Sequence, residues 1–338
     1  GRGLSFYTMQ DQTIDYDNSL KGLAFNYFIR NNLKISSLIA NGEYAFRSSP
    51  ANRETDYQFD TNALFGSIDY ENQLIGFFHY SYLKQESFLT SDIITRICSE
   101  RYNEVGKELN IQSHIDSLSC YEIPDTLGTD SDKINSKNHN FSWNYIMGPF
   151  DIYMDKSWIY YDKIHGKRVF GSRLYTSLYT ELFETGITYE YKNYYTPYLI
   201  KSLSNPPIVY REGSSILASR NVHSMNFGNE IGHQIDLNRN INGNLNILAN
   251  LSLSHRHQMS DLEPISLLNI LSMKDEDEMY EYNPFQQIYL EINGWVLSER
   301  LYYKVGMDQF IEFTVLDRKK TYVTTVPTQW VWKLTDGN

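Results

Sequence analysis

Apolar and polar side chains alternate one by one along much of this chain, which is the period of a β-strand whose two faces meet different surroundings. Over residues 243–255, Leu245, Ile247, Ala249, Leu251 and Leu253 share one face, while Asn244, Asn246, Asn250, Ser252 and Ser254 share the other. Only Leu248 departs from that pattern. Residues 287–293 and 301–308 set Ile288, Leu290, Ile292, Leu301, Tyr303, Val305 and Met307 on one face, and Gln287, Glu291, Asn293, Lys304, Gly306 and Asp308 on the other. Residues 186–192 alternate Ile187, Tyr189 and Tyr191 with Thr188, Glu190 and Lys192. Leu23, Phe25, Tyr27 and Ile29 alternate with Gly22, Ala24 and Asn26 in the same way. Further strands are predicted over 4–10, 33–40, 63–70, 74–83, 141–147, 150–161, 169–182, 229–237 and 322–333, about fourteen in all. Many are near the nine to eleven residues that a tilted strand needs to cross a bilayer. A face bearing Glu190, Lys192, Glu291 and Lys304 is too polar for the dry core of a sandwich and suits a watery one.

The connections alternate in length. Short ones fall at 30–32, 71–73, 148, 184–185, 238–242 and 298–300, and longer ones at 11–19, 41–62, 84–140, 162–168, 192–228, 256–285 and 309–321. In an up-and-down meander, successive connections lie on opposite sides, so one side carries tight turns and the other elaborated loops, as in bacterial outer-membrane barrels. The expected fold class is therefore all-β: an antiparallel up-and-down transmembrane β-barrel of about fourteen or more strands. It is expected as a single domain over 1–338, with loop insertions at 84–140, 199–228 and 256–285. Tyr44, Tyr70, Trp158, Tyr160, Tyr161, Tyr195, Tyr198, Trp295, Trp330 and Trp332 lie near strand ends, where interfacial girdles form.

Composition sharpens this picture. The 338 residues include 28 Tyr, 17 Phe and 5 Trp, an aromatic share of 15%. No apolar run is long enough for a helical membrane span. A formal net charge of -11 argues against nucleic acid as a partner, since phosphate contacts need clustered Lys and Arg. The two cysteines, Cys98 and Cys120, share the first insertion; a disulfide and two unpaired thiols are both open readings. In the same insertion Ile94, Ile97, Cys98, Tyr102, Val105 and Leu109 recur at helical spacing after Ser91 and Asp92, which predicts one amphipathic helix over or inside the barrel mouth.

The segment Gly1-Arg2-Gly3-Leu4, followed by Asp15-Tyr16-Asp17-Asn18-Ser19-Leu20-Lys21-Gly22, resembles the opening of a group of uncharacterised bacterial outer-membrane β-barrel proteins. Asn205-Pro206-Pro207 with Tyr210-Arg211-Glu212, Ser219-Arg220, His223 and Asn229-Glu230-Ile231-Gly232 resembles a later part of that group, as does Ile288-Tyr289-Leu290-Glu291. The resemblance implies an outer-membrane barrel of unknown activity with no catalytic residues. Members of the group usually continue before the first of these motifs and after the last strand here. This chain also lacks a terminal aromatic residue, so missing strands are expected.

Residues 206–233 gather Arg211, Glu212, Arg220, His223, Glu230 and His233 around a Pro-Pro turn. A loop of that length is functional or disordered as a rule. It reads either as an inward-folded constriction whose charges set selectivity or, preferred, as an ion-paired loop that seals the barrel. The full set of lumen or plug candidates is these six with Arg173, Glu181, Glu190, Lys192, Glu291, Lys304 and Asp308. His255-Arg256-His257 with Asp261 lacks a further ligand at metal-site spacing, and a solvated strand end is expected there. Asp275-Glu276-Asp277-Glu278 lacks the glycine turn and closing glutamate of a calcium loop and reads as exposed. Neither a nucleophile elbow nor a P-loop occurs.

The function expected is that of a porin-like passive channel or plugged barrel in the bacterial outer membrane, with no cofactor, no metal and no enzymatic activity. Its partners are outer-membrane lipid and, in an alternative reading, other outer-membrane or surface proteins, for which a non-conducting barrel would be a structural component. A second alternative is a secreted soluble β-protein that binds glycans through Tyr and Trp.

Overall fold

The computed structural model describes residues 10–11, 16–17, 19–47, 56–88, 133–164, 167–195, 229–241, 244–257, 284–314 and 319–333. Every regular element among them is a strand. A small two-stranded sheet joins β1 (Gln10–Asp11) to β2 (Tyr16–Asp17). The large sheet has fourteen strands. They are β3 (Ser19–Arg30), β4 (Leu33–Arg47), β5 (Asp56–Asn72), β6 (Gly76–Phe88), β7 (Lys133–Met147), β8 (Phe150–Ile164), β9 (Lys167–Leu182), β10 (Thr185–Tyr195), β11 (Asn229–Ile241), β12 (Leu245–His255), β13 (Phe285–Val296), β14 (Leu301–Thr314), β15 (Lys319–Thr325) and β16 (Thr328–Trp332). Each is hydrogen-bonded to its neighbour in chain order, from β3 to β15, and β16 also pairs with β14. That is the antiparallel up-and-down meander expected from the alternation.

Two compact units make up the chain. The first comprises Gly1–Tyr145, Met154–Leu174 and Tyr194–Pro207. In it β4 and β5 run from Leu33 opposite Tyr70 to Arg47 opposite Asp56 without a slip. One face therefore collects Ile35 with Ile68 and Ile39 with Leu64, joined from β3 by Leu23 and Tyr27. The other collects Lys34 with Asp69, Ser36 with Ser67 and Ala40 with Ala63. Exposure is inverted relative to a water-soluble protein: Leu23 is 70% and Ile39 67% exposed, while Ser36, Thr61, Ser67, Ser81, Asn140 and Asp155 are buried.

The second unit comprises Ile146–Tyr153, Tyr175–Asn193 and Ile208–Asn338. Its registers place Ile235 with Leu251, Leu290 with Met307 and Ile292 with Val305 on the apolar face. Gln234 with Ser252, Asp236 with Asn250 and Tyr289 with Asp308 lie on the polar face. Here too Leu290 is 45% exposed and Glu291 2%. Leu248, the one break in the sequence pattern, does lie on the polar face, opposite Glu291.

Several boundaries differ from expectation, each for a local reason. The connections expected at 41–62 and 84–140 begin and end as paired strand, with Arg47 opposite Asp56 and Phe88 opposite Lys133. Cross-strand hydrogen bonding carries the ladder beyond the apolar alternation, where periodicity no longer marks it. The strand expected from 74 starts instead at Gly76. Asn72 Oδ1 accepts the amide of Leu74 at 2.8 Å, an Asx turn that holds Leu74 and Ile75 in the bend. Gly76 then has φ +90, and a Cβ there would lie 2.2 Å from the Asn144 carbonyl oxygen. The strand expected over 322–333 is broken at Pro327, which has no N–H to give. Its carbonyl accepts the Gly306 amide at 2.9 Å, and pairing resumes with Thr328. The helix expected in the first insertion, Cys98, Cys120, most of 4–10, and the 275–278 run lie outside the described residues.

Two tight turns use left-handed backbone without glycine: Phe183 and Glu184 at φ 51 and 62, and Leu297, Ser298 and Glu299 at 55, 55 and 64. For the first, a two-residue hairpin of this kind favours Asn-Gly, because left-handed conformation costs other residues about 1–2 kcal/mol each. The double substitution Phe183→Asn with Glu184→Gly is expected to stabilise the fold by roughly 1 kcal/mol or more. A rise in the urea midpoint of the folded protein checks it; a fall would show that Phe183 makes a contribution outweighing its backbone cost.

Candidate functional site

The polar face of the second unit holds the densest set of charged side chains. Lys192 on β10 reaches Glu230 on β11, Nζ to Oε1 2.6 Å, with both side chains almost wholly buried. A neighbouring glycine makes that possible: a Cβ at Gly232 would lie 2.4 Å from Cε of Lys192, whose stem crosses this position. Further along, Glu291 accepts from the Tyr289 hydroxyl, from Asn293 Nδ2 at 2.8 Å, and pairs with Lys304 Nζ at 3.4 Å. Asp308 accepts from Gln287 Nε2 at 2.9 Å, and Glu190 from the Tyr175 hydroxyl at 2.5 Å. Asp236 accepts from Gln234 Nε2 at 2.9 Å and Asn250 Nδ2 at 2.7 Å, while Ser252 Oγ donates to Asn250 Oδ1 at 3.0 Å. O–H, N–H and ammonium groups surround these carboxylates and supply the hydrogen bonds that burial would otherwise deny them.

The first unit has smaller groups of the same kind. Asp69 holds His79 Nδ1 at 2.5 Å on one oxygen and Lys34 Nζ at 3.6 Å on the other. Asn140 Nδ2 donates to Asp155 Oδ1 at 2.7 Å.

Of the residues singled out by sequence, Glu190, Lys192, Glu230, Glu291, Lys304 and Asp308 lie on the polar face of the second unit. Arg173, in the first unit, is buried on β9. Glu181 is exposed beside the Phe183-Glu184 turn. His233 is a correction: it pairs opposite Leu253 in the row of Ile231 and Ile235, on the apolar face. There Tyr189 and Tyr191 flank it, the Tyr189 hydroxyl 2.8 Å from His233 Nδ1 and the Tyr191 ring 4.9 Å from its own. Arg211, Glu212, Arg220 and His223 lie outside the described residues, as does Asp261.

The strand end at His255 and His257 is also corrected. It is buried, not solvated. One ring nitrogen of each is engaged within the fold: His255 Nδ1 donates to the Arg256 carbonyl at 2.6 Å, and His257 Nε2 lies 2.9 Å from Asn193 Oδ1. Burial, reinforced by the neighbouring His255, pushes the His257 imidazole down to about 4, so it is neutral near pH 7. Among the described residues no group of three or more His, Cys, Asp or Glu could hold a metal ion.

Sequence reasoning passed over Asp69, Asp155, Gln234 and Asp236. The signal for the last two was an amide and a carboxylate two residues apart on one strand, hence on one face.

The apolar face has its own order. His139 stands between Tyr82, at 5.0 Å between rings, and Tyr160 at 5.9 Å, in the first unit. Trp143 stacks on Phe78 and Tyr145 near the short turns, and its Nε1 donates to the Ile75 carbonyl at 2.8 Å. In the second unit Tyr303 meets Trp330 beside the 297–300 turn, and Tyr189, Tyr191 and His233 gather towards the start of β11. Aliphatic residues such as Leu237 and Ile292 lie between them.

No family model and no curated protein matches the chain. Solved structures similar to it include OccK5 (OpdH) of Pseudomonas aeruginosa, at 9% identity over 96% of this chain and 74% of that one, with a TM-score of 0.40. OprD of the same organism is similar at 10% identity over 96% and 73%, TM-score 0.38. The outer membrane channel DcaP of Acinetobacter baumannii is similar at 10% identity over 91% and 83%, TM-score 0.38. Likeness at that level says nothing of what binds to this chain or passes through it.

Proposed function

We propose that this chain is a bacterial outer-membrane β-barrel, a porin-like passive channel whose wall is the fourteen-stranded meander. The observation that carries the reading is the inverted exposure of each unit. Leu23, Ile39, Leu290 and Ile292 face out, while Lys192, Glu230, Glu291 and Asp308 are buried. In water the first set would be a large apolar patch with nothing to cover it. In a bilayer it is the lipid-facing surface, and the strands of 11 to 17 residues from β3 to β14 are long enough to cross it. Every backbone polar group at that depth must be paired, and from β3 to β15 each strand is hydrogen-bonded to the next. The His and Tyr groups at the ends of the apolar face suit the lipid–water interface.

The polar face then lines the interior, where paired charges define a path for ions and small solutes. The test is fractionation followed by recording. The protein is expected in the outer-membrane fraction, extracted only with detergent and with heat-modifiable gel mobility, and expected to give discrete conductance steps in planar bilayers. Recovery as a detergent-independent soluble protein would overturn the membrane assignment. A membrane protein that gives no conductance would be a structural barrel of a surface assembly instead.

A further inference from the structure

We propose that the lipid-facing surface of the first unit holds the phosphate group of an outer-leaflet lipid, at a basic site built by Lys84 and Lys137 with Lys156 on the neighbouring strand. The inference rests on the membrane reading above and not on conduction.

The register makes the site. Strand parity sets Lys84 of β6 on the face that carries Tyr80 and Tyr82, and Lys137 of β7 on the face that carries His139 and Phe141. The two lysines stand directly opposite one another, on the line of partners that also joins Leu23, Ile39 and Leu64. Those three are 70%, 67% and 45% exposed, so the lysines share the surface that is turned to hydrocarbon. Like charges directly opposite each other on a sheet repel. An ammonium group beside lipid tails is costly unless it reaches the headgroups or an anion.

A third lysine comes from β8. Lys156 shares a face with Trp158 and Tyr160, and Tyr160 packs on His139. Asp155, its neighbour in the chain, lies on the polar face with Asn140. The Lys156 ammonium lies 5.8 Å from the centre of the Trp158 ring, drawn along the strand away from the Gly148 turn.

Depth agrees with the chemistry. The strands β6 and β7, of 13 and 15 residues, outrun the nine to eleven that cross a bilayer. Lys84 and Lys137 sit near the ends of these strands, beside the Phe88 and Lys133 pair that borders the long connection. Long connections are external in outer-membrane barrels, so the two lysines reach the headgroups of the outer leaflet. Tyr82, His139 and Tyr160 form the aromatic layer beside them. Towards the short turns, Ile68, Tyr80 and Phe141 follow in one line and offer a surface for acyl chains.

Glu86 holds Lys84 Nζ at 2.7 Å, and both side chains remain accessible, at 38% and 30%. A phosphate brings several acceptor oxygens and can bridge two ammonium groups that stand side by side. Basic side chains at the membrane surface attract anionic headgroups in the same way.

The experiment uses the full chain folded in a non-ionic detergent and measures its affinity for diphosphoryl lipid A, with the dephosphorylated lipid and inorganic phosphate as comparison probes. The wild type is expected to bind the phosphorylated lipid about tenfold or more tightly than the dephosphorylated one, and millimolar inorganic phosphate is expected to leave the lipid in place. Lys84→Gln with Lys137→Gln is expected to lose about tenfold or more of the affinity for the phosphorylated lipid and to bind the dephosphorylated one as the wild type does. Lys34→Gln, which removes the same charge from the polar face, is expected to change neither. Heat-modifiable mobility identifies folded variants, and Lys137→Gln alone serves if the double variant does not fold. Equal affinity of the wild type for the two lipids, no loss in the lysine variants of this face, or displacement of the lipid by inorganic phosphate would overturn this inference and leave the membrane reading standing. A chain that folds and stays soluble without detergent would overturn both.

Discussion

Replacing Lys192 by methionine is expected to destabilise the folded protein by about 3–5 kcal/mol, the cost of leaving a buried carboxylate without its cation. The size follows from burial. Lys192 and Glu230 have side chains 2% and 3% exposed, so water cannot take over the role of either partner. The magnitude also distinguishes this pair from surface ion pairs, whose loss costs about 0–1 kcal/mol. The double variant Lys192→Met with Glu230→Leu is expected to recover most of the loss, because well-packed apolar groups of similar volume replace a buried ion pair with little penalty. Urea unfolding of the two variants beside the wild type measures both effects. A single substitution costing under about 1 kcal/mol would mean that Glu230 is wetter than its exposure implies. Gly232 is tied to the same result, since any side chain there displaces the lysine stem.

Leu290→Arg is expected to cost about 2–4 kcal/mol when the protein is folded in lipid, as a charge on the lipid-facing surface near the bilayer midplane. Leu290 is 45% exposed, so in a water-soluble protein the same change would be worth within about 0.5 kcal/mol. The two environments thus give opposite expectations for one residue. Refolding into vesicles, with folded yield followed by heat-modifiable mobility, measures the difference. Ser252→Arg, a charge on the polar face, is not the equivalent control, because it would crowd the Gln234 ladder. Leu290→Met is, and is expected to fold as the wild type does.

The rows of the sheet were legible before any coordinates, and the reason is physical. Leu245, Ile247, Ala249, Leu251 and Leu253 alternate with Asn and Ser because two solvents act on one strand, and the register puts them where that alternation requires. Pairings across the sheet were not legible in the same way. Lys192 and Glu230 were both assigned to the interior, but nothing in their spacing joins residues 38 apart. His233 was assigned by its company, a segment dense in charge, whereas strand parity alone places it among isoleucines. Pro327 was visible within an expected strand, and the missing N–H could have been read as the break that it proves to be. Gln234 escaped notice because an unsatisfied oxygen exists only once the neighbouring donors have chosen their partners.

The unbroken registers, such as the eleven successive pairs from Ile231 opposite His255 to Ile241 opposite Leu245, make the sheet sensitive to phase. Inserting one residue in β12 would carry the leucines of the apolar row beyond it to the wet side and the asparagines to the oily one, whereas inserting two would restore the parity. Length changes within these strands can therefore persist only in even steps, and odd ones are confined to the connections or absorbed by a bulge such as the shift between Phe28 and Arg30.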